Sequence, residues 1–205
     1  MMLSVPVDKR LIVISDQIKQ SASVLDSMVE DIDFLSVLHD VVVVCTAALK
    51  KGNKLLFMGN GGSAADSQHL AGEMVSRLNF DRPALPAFAL TVDSSVMTAI
   101  GNDYGYERLF VRQVEAVAKP GDVLFGISTS GCSPNIILAL DAARRMNVIT
   151  VGMTGNHKAQ ITQIVDYCIE IPSDYTPNIQ EGHIVSGHII CGMIEAQMFP
   201  DQRQL

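Results

Sequence analysis

The sequence predicts an α/β domain built on a doubly wound, five-stranded parallel sheet, with a helical extension in front of it. Three observations predict this: short apolar runs alternate with helical segments from residue 54 onward, glycine- or hydroxyl-rich turns separate a run from the next helix, and 205 residues at 48% hydrophobic content make one core but not two. Residues 8–28 read as a helix with apolar Leu11, Ile14, Ile18 and Leu25, and residues 34–49 read as a second helix after the candidate cap Asp33. The β-branched run at 41–44 imitates a strand, but Leu35, Leu38, Val42, Cys45 and Leu49 form a helical stripe around it. That stripe needs cover on more than one side, for which another subunit is the natural source. Strands are expected at 55–58, 87–92, 123–127, 148–151 and 167–171. Helices are expected at 63–78, 95–101, 108–118, 134–146 and 158–165, and a last one within 179–199. The division is therefore 1–52 as the helical extension and 53–205 as the α/β domain, with no internal repeat or low-complexity run.

Composition excludes several function classes. A net charge of −7 and a pI near 5.1 argue against a nucleic-acid partner, and the pairs Lys50-Lys51 and Arg144-Arg145 read as solvated helix ends. Cys45, Cys132, Cys168 and Cys191 are far apart with no CxxC spacing, which fits buried free thiols in a reducing compartment rather than a zinc ribbon or disulfide framework. No basic region followed by a continuous apolar block opens the chain, and no continuous apolar run approaches a membrane span. A soluble, cytoplasmic protein is expected.

Two loops carry the chemistry. Gly59-Asn60-Gly61-Gly62-Ser63 joins a strand to a helix, where backbone N–H groups at the helix N-terminus receive an anion or a sugar hydroxyl; a plain turn needing positive φ is the alternative. Ser128-Thr129-Ser130-Gly131-Cys132-Ser133 precedes a helix that starts near Pro134. Four hydroxyls at a helix N-terminus match a phosphate without any Lys or Arg, although serine-rich turns also act simply as caps.

His69 and Glu73, four apart, share a helix face and meet at a common ion or substrate, or form an ordinary surface pair. Gln180 and His188 lie eight apart on the last helix, about 80° around its axis. Those two bracket one site only with side-chain reach; otherwise they are, with His183, interface polar groups. Asn102 and Asp103, in the loop expected after the second strand, suit either ligand contact or turn formation.

As a set, GNGGS, STSG with Ser133, SAADSQHLAGEMVSR, GNDYG at residues 101–105 and IQEGHIVSGH resemble the sugar isomerase (SIS) family, and within it the phosphoheptose isomerases, over nearly the whole chain. The resemblance implies a doubly wound homotetramer with active sites at subunit contacts and a zinc ion held by His69, Glu73, Gln180 and His188. It implies catalysis by Glu73 and His188. Asn60, Gly61, Gly62, Glu73, Asn102, Asp103 and Gln180 would contact the sugar, and Ser128, Thr129, Ser130 and Ser133 the phosphate. Ser63 and Arg77 are further candidate contacts, and His183 is left structural. The implied reaction is aldose–ketose isomerisation of sedoheptulose 7-phosphate through an enediol, at the start of activated-heptose synthesis for lipopolysaccharide cores or other glycans. Two rival readings remain. One is a tetramer that binds a replication initiator, whose ending resembles Met198-Phe199-Pro200 but which lacks the groups at Glu73 and His188; the other is a sugar-phosphate-sensing module without metal or base.

Overall fold

The computed structural model describes residues 9–156 and 159–202. Helices α1 (Lys9–Glu30) and α2 (Ile32–Lys50) precede strand β1 (Leu55–Gly59), after which come α3 (Gly62–Val75), β2 (Ala87–Ala89), α4 (Ser94–Tyr104), α5 (Leu109–Val117), β3 (Val123–Ile127), α6 (Pro134–Arg145), β4 (Ile149–Gly155), β5 (Tyr167–Ile171) and α7 (Thr176–Met198). The five strands are all parallel in the order β2-β1-β3-β4-β5, the doubly wound arrangement expected. Strand order reverses between β1 and β3. A crevice therefore opens outside their carboxyl ends, where open α/β sheets take their ligands. The two loops singled out above are the ones that leave β1 and β3 at that crevice.

Period-two alternation sends the side chains of each buried strand to two different cores. Leu55, Phe57, Val123, Phe125 and Ile127 join α2, α3 and α7 on one face, where the Phe57 and Phe125 rings stack at 4.8 Å. Leu56, Met58 and Leu124 join α4, α5 and α6 on the other. At the opposite end of the sheet, Asp122 accepts from the backbone N–H groups of Lys54 and Lys119 and pairs with the Lys54 ammonium. Burial alone would raise its pKa, but these donors hold the carboxyl below its ordinary value.

Several elements differ from expectation for local reasons. The cap of α2 is Asp31, whose carboxylate accepts from the Phe34 N–H, so Asp33 falls inside the first turn. Helix α3 stops at Val75, which places Arg77 beyond it, exposed. Strand β2 lasts three residues and α4 extends to Tyr104, so Asn102 and Asp103 lie in the last turn of a helix rather than in a loop. The helix expected at 158–165 is a short 3-10 turn, Gln160–Gln163; Lys158, like Asp8 at the first helix, is outside the described residues. Cys45 and Cys191 are buried as expected, but Cys132 is exposed in the second loop.

Helix α2 belongs to the core beneath the sheet through Phe34, Leu38, Val41, Val42, Cys45 and Leu49. By length and composition it passes for a membrane span, but 44% of that stretch is buried. Helix α1 buries only Met28 and leaves Leu11, Ile12, Val13, Ile14 and Ile18 exposed.

Candidate active site

Helices α3 and α7 lie side by side and run in the same direction, as their contacts show. A Cβ on Gly62 would overlap the Gln180 amide nitrogen, one on Gly187 would stand 2.6 Å from Leu70, and Asn79 reaches Glu195. Gly187 is what lets the helices approach so closely, and His188 beside it meets His69 across the seam. Their Nε2 atoms are 2.7 Å apart, and Glu73 Oε1 is 3.3 Å from His69 Nε2. One donor atom from each of these three residues lies within 4.8 Å of the others. The set of two imidazoles and a carboxylate suits zinc, with Zn–N near 2.0 Å, better than the all-oxygen preference of magnesium.

Positions 62, 66, 69 and 73 fall on one stripe of α3 by their spacing of four, three and four. Gln180 adjoins Gly62 at the top of this stripe, eight residues and about 12 Å of helix rise above His188. It therefore borders both the glycine loop and the seam. Asp66, quoted in the motif but given no role, also belongs to the stripe. Its Oδ2 is buried without a hydrogen-bond partner, and burial pushes its pKa up, opposed by the charge of His69.

The glycine loop is held by two residues that sequence reasoning missed. Asn135, buried at the start of α6, exchanges reciprocal amide hydrogen bonds of 2.9 Å with Asn60, and the Tyr106 hydroxyl donates to Asn60 Oδ1. The Asn60 carbonyl oxygen is thereby filled, leaving one amide hydrogen for a ligand. Only the position of Asn135, just after Pro134 at a ligand-facing helix start, offered a signal. Gly61 has φ +56°, with nothing within 4 Å of where its Cβ would stand, so a ligand can come up against the backbone there. Ser63 is buried, and its carbonyl accepts from Ser67 Oγ.

These glycines differ in a testable way. A Cβ at Gly59 would be 2.5 Å from the Ser63 carbonyl oxygen, which is helix backbone and cannot yield, whereas one at Gly62 meets only the end of a flexible side chain. Gly59→Ala is expected to destabilise the fold by about 1–3 kcal/mol. Gly62→Ala should unfold in urea near the wild-type midpoint yet displace Gln180 and weaken ligand affinity several-fold; wild-type affinity would remove Gln180 from the site.

In the second loop Ser128 Oγ is 3.0 Å from Ser133 Oγ and 3.5 Å from Ser130 Oγ, and Ser130 Oγ accepts from the Cys132 N–H. Ser133 is the N-cap of α6 but its side chain caps no helix N–H, which leaves that hydroxyl in the cluster with Ser128. The Thr129 carbonyl accepts from the Gly155 N–H, tying the loop to β4. Gly131 has φ +61°, and a Cβ there would overlap Ala159 and stand 2.6 Å from Thr154 Oγ1. Asn102 and Asp103 are exposed and hydrogen-bond to each other at 2.8 Å.

His183, left structural above, is 1% exposed, with neither ring nitrogen in hydrogen-bonding geometry. Burial lowers its pKa to about 4, only partly opposed by the Thr154 backbone. The folded protein thus keeps it neutral while the unfolded chain takes up a proton near 6.5. Its contribution to stability is complete above pH 6.5 and is lost as the pH falls toward 4. Urea midpoints should drop over that window, and His183→Gln should flatten the drop; an unchanged slope would assign it to other groups.

Comparison with known proteins decides the family. The SIS domain family model matches residues 18–155. The chain is 50% identical over 195 residues to the phosphoheptose isomerase of Burkholderia pseudomallei (strain 1710b), covering 95% of this chain and 99% of that one.

The chain belongs to the SIS domain family, among the phosphoheptose isomerases.

A relative from Akkermansia muciniphila with the same description is 51% identical over 175 residues, covering 85% and 89% of the two chains. Among solved structures, the phosphoheptose isomerase of Neisseria gonorrhoeae superposes with a TM-score of 0.85 at 35% identity, covering 91% of this chain and 98% of that one. The SIS fold of these phosphoheptose isomerases is the five-stranded sheet described above.

Proposed function

We propose that this chain interconverts sedoheptulose 7-phosphate and D-glycero-D-manno-heptose 7-phosphate by proton transfer through an enediol, opening activated-heptose synthesis in the cytoplasm. The observation that carries this reading is the meeting of His69 and Glu73 on α3 with His188 on α7, within 4.8 Å. The seam lies beside the crevice between β1 and β3, whose second loop presents hydroxyls suited to a phosphate.

Ser128, Thr129, Ser130 and Ser133 hold the phosphate at the N-terminus of α6, where the helix dipole and backbone N–H groups favour negative charge. Asn60, Gly61, Gly62, Asn102, Asp103 and Gln180 orient the sugar. Glu73 takes the proton from C1 of the ketose and delivers it to C2, and His188 moves a proton between the two oxygens. Each transfer contributes about 10² to 10⁴ in rate. His69, Glu73, Gln180 and His188 would hold a zinc ion, which when bound polarises the carbonyl.

The assembly is read as a homotetramer. Support comes from the exposed apolar face of α1 and from an open groove of about 480 Å³ beside His188, lined by Ile189, Gly192, Met193 and Ala196. A partner there would close the site against water. The joint presence of Glu73 and His188 in one cluster weighs against a purely binding role for the chain.

The test is incubation of the purified protein with sedoheptulose 7-phosphate, with fructose 6-phosphate as control, alongside light scattering for the assembly. Formation of the aldose from the seven-carbon substrate is expected. No aldose product would overturn the reading.

A further inference from the structure

We infer that Arg82 is a positioning residue for Glu73, and that with Glu195 it sets the separation of α3 and α7 at the site; the inference rests on the catalytic reading of Glu73 given above. Glu73 stands in the last turn of α3, where backbone carbonyls lose their partners along the helix and fraying begins. Arg82 supplies a partner to the Glu73 carbonyl from the following loop and shares the Met74 carbonyl with the Leu85 N–H. Its Nη2 donates to the Glu73 carbonyl at 2.8 Å, and its Nη1 donates to the Met74 carbonyl at 2.7 Å and to that of Pro83 at 3.0 Å.

The third edge of the guanidinium faces α7. Arg82 Nε donates to Glu195 Oε1 at 3.0 Å, and both side chains are wholly buried. Glu195 also accepts from the N–H groups of Leu78 and Asn79 and from the Asn79 side-chain amide, at 2.8 to 3.0 Å. Burial would raise its pKa, but these donors hold it below the ordinary carboxylate value, so the pair is ionic. Glu195 lies seven residues after His188, two turns along the same face of α7, about 10 Å by helix rise. One side chain thus fastens the end of the helix that bears Glu73 to the helix that bears His188. A planar fork with fixed donor directions is needed, which a lysine ammonium lacks.

The test is Arg82→Lys, which keeps the buried charge, with guanidinium rescue of Arg82→Ala at low millimolar, non-denaturing concentration as the second variant. Arg82→Lys should lower kcat about ten- to a hundredfold, the size seen when outer partners of site residues are lost, and leave KM within about threefold. Zinc affinity measured by chelator competition should fall by a similar factor while the circular dichroism spectrum stays native. Guanidinium should restore part of the kcat of Arg82→Ala. Wild-type kcat and zinc affinity in folded Arg82→Lys would overturn the inference. Should the wild-type protein itself fail to isomerise the ketose, the proposed reaction falls and the positioning role is judged on amide exchange in residues 72–77. Faster exchange confined to that turn in Arg82→Lys supports the role, and unchanged exchange overturns it.

Discussion

Glu73→Gln is expected to lower turnover of sedoheptulose 7-phosphate by about 10² to 10⁴, the contribution of one proton-transfer group. The substitution keeps the length and shape of the side chain. It leaves intact the Glu73 backbone carbonyl and the hydrogen bond it receives from Arg82. What it removes is the capacity to accept a proton and the charge 3.3 Å from His69 Nε2. Because Glu73 is only part-buried and makes no ion pair with the Arg82–Glu195 cluster, the urea midpoint measured in the presence of chelator should stay close to wild type, within the half kcal/mol or so usual for such positions. The reaction in D₂O separates chemistry from binding. Wild-type protein should exchange solvent deuterium into the substrate at the carbon-bound position, and Glu73→Gln should not. Turnover near the wild-type rate would remove Glu73 as the base, whatever its place at a metal.

How much of this was legible in the sequence depended on the range of the interaction. The doubly wound sheet was readable because each strand is a continuous apolar run and each intervening helix has a local period. The run of four valines in α2 was read correctly for the same reason, as its flanking stripe is local. Strand order was not readable, being a matter of pairing between distant segments, and it is the order that puts the Gly59 and Ser128 loops side by side. Asp33 and Asp31 are both competent caps, and only the chain direction entering α2 selects Asp31. Asn102 and Asp103 were expected in a turn because both residue types favour one, but α4 continues through them to Gly105, whose φ of +87° ends it. His69 and Glu73 were visible as a pair at helical spacing, whereas their meeting with His188 spans 119 residues and depends on Gly187 admitting Leu70. Arg82, Glu195 and Tyr106 carried no local pattern at all, and Asn135 had only its place after Pro134 at a helix start. Each is an ordinary polar residue whose importance arises only when another element delivers its partner.

Removal of metal is the second change expected to be large. Two imidazole nitrogens at 2.7 Å with a carboxylate oxygen at 3.3 Å are close enough to share a hydrogen bond, and the same atoms offer a donor set to a divalent ion. The two states are distinguishable by stability as well as by rate. A ligand present at a thousand times its dissociation constant stabilises the folded state by about 4 kcal/mol. For a chain of this size that corresponds to roughly 8–16 °C in the thermal midpoint. Dialysis against a strong chelator should therefore lower the midpoint by that order and lower isomerisation by at least tenfold. Zinc should restore both, and magnesium neither, since imidazole donors select against it. His69→Ala and His188→Ala should each abolish the zinc-dependent rise in midpoint, because an ion held there would draw its donors from both α3 and α7. The chelated proteins serve as the control for fold: both variants should then melt within a few degrees of wild type, since they lose the His69–His188 hydrogen bond, about 1 kcal/mol, but keep the Arg82–Glu195 pair and the Leu70–Gly187 contact across the seam. A wild-type midpoint indifferent to chelator and zinc would mean that His69, Glu73 and His188 act as a hydrogen-bonded proton-transfer set without an ion.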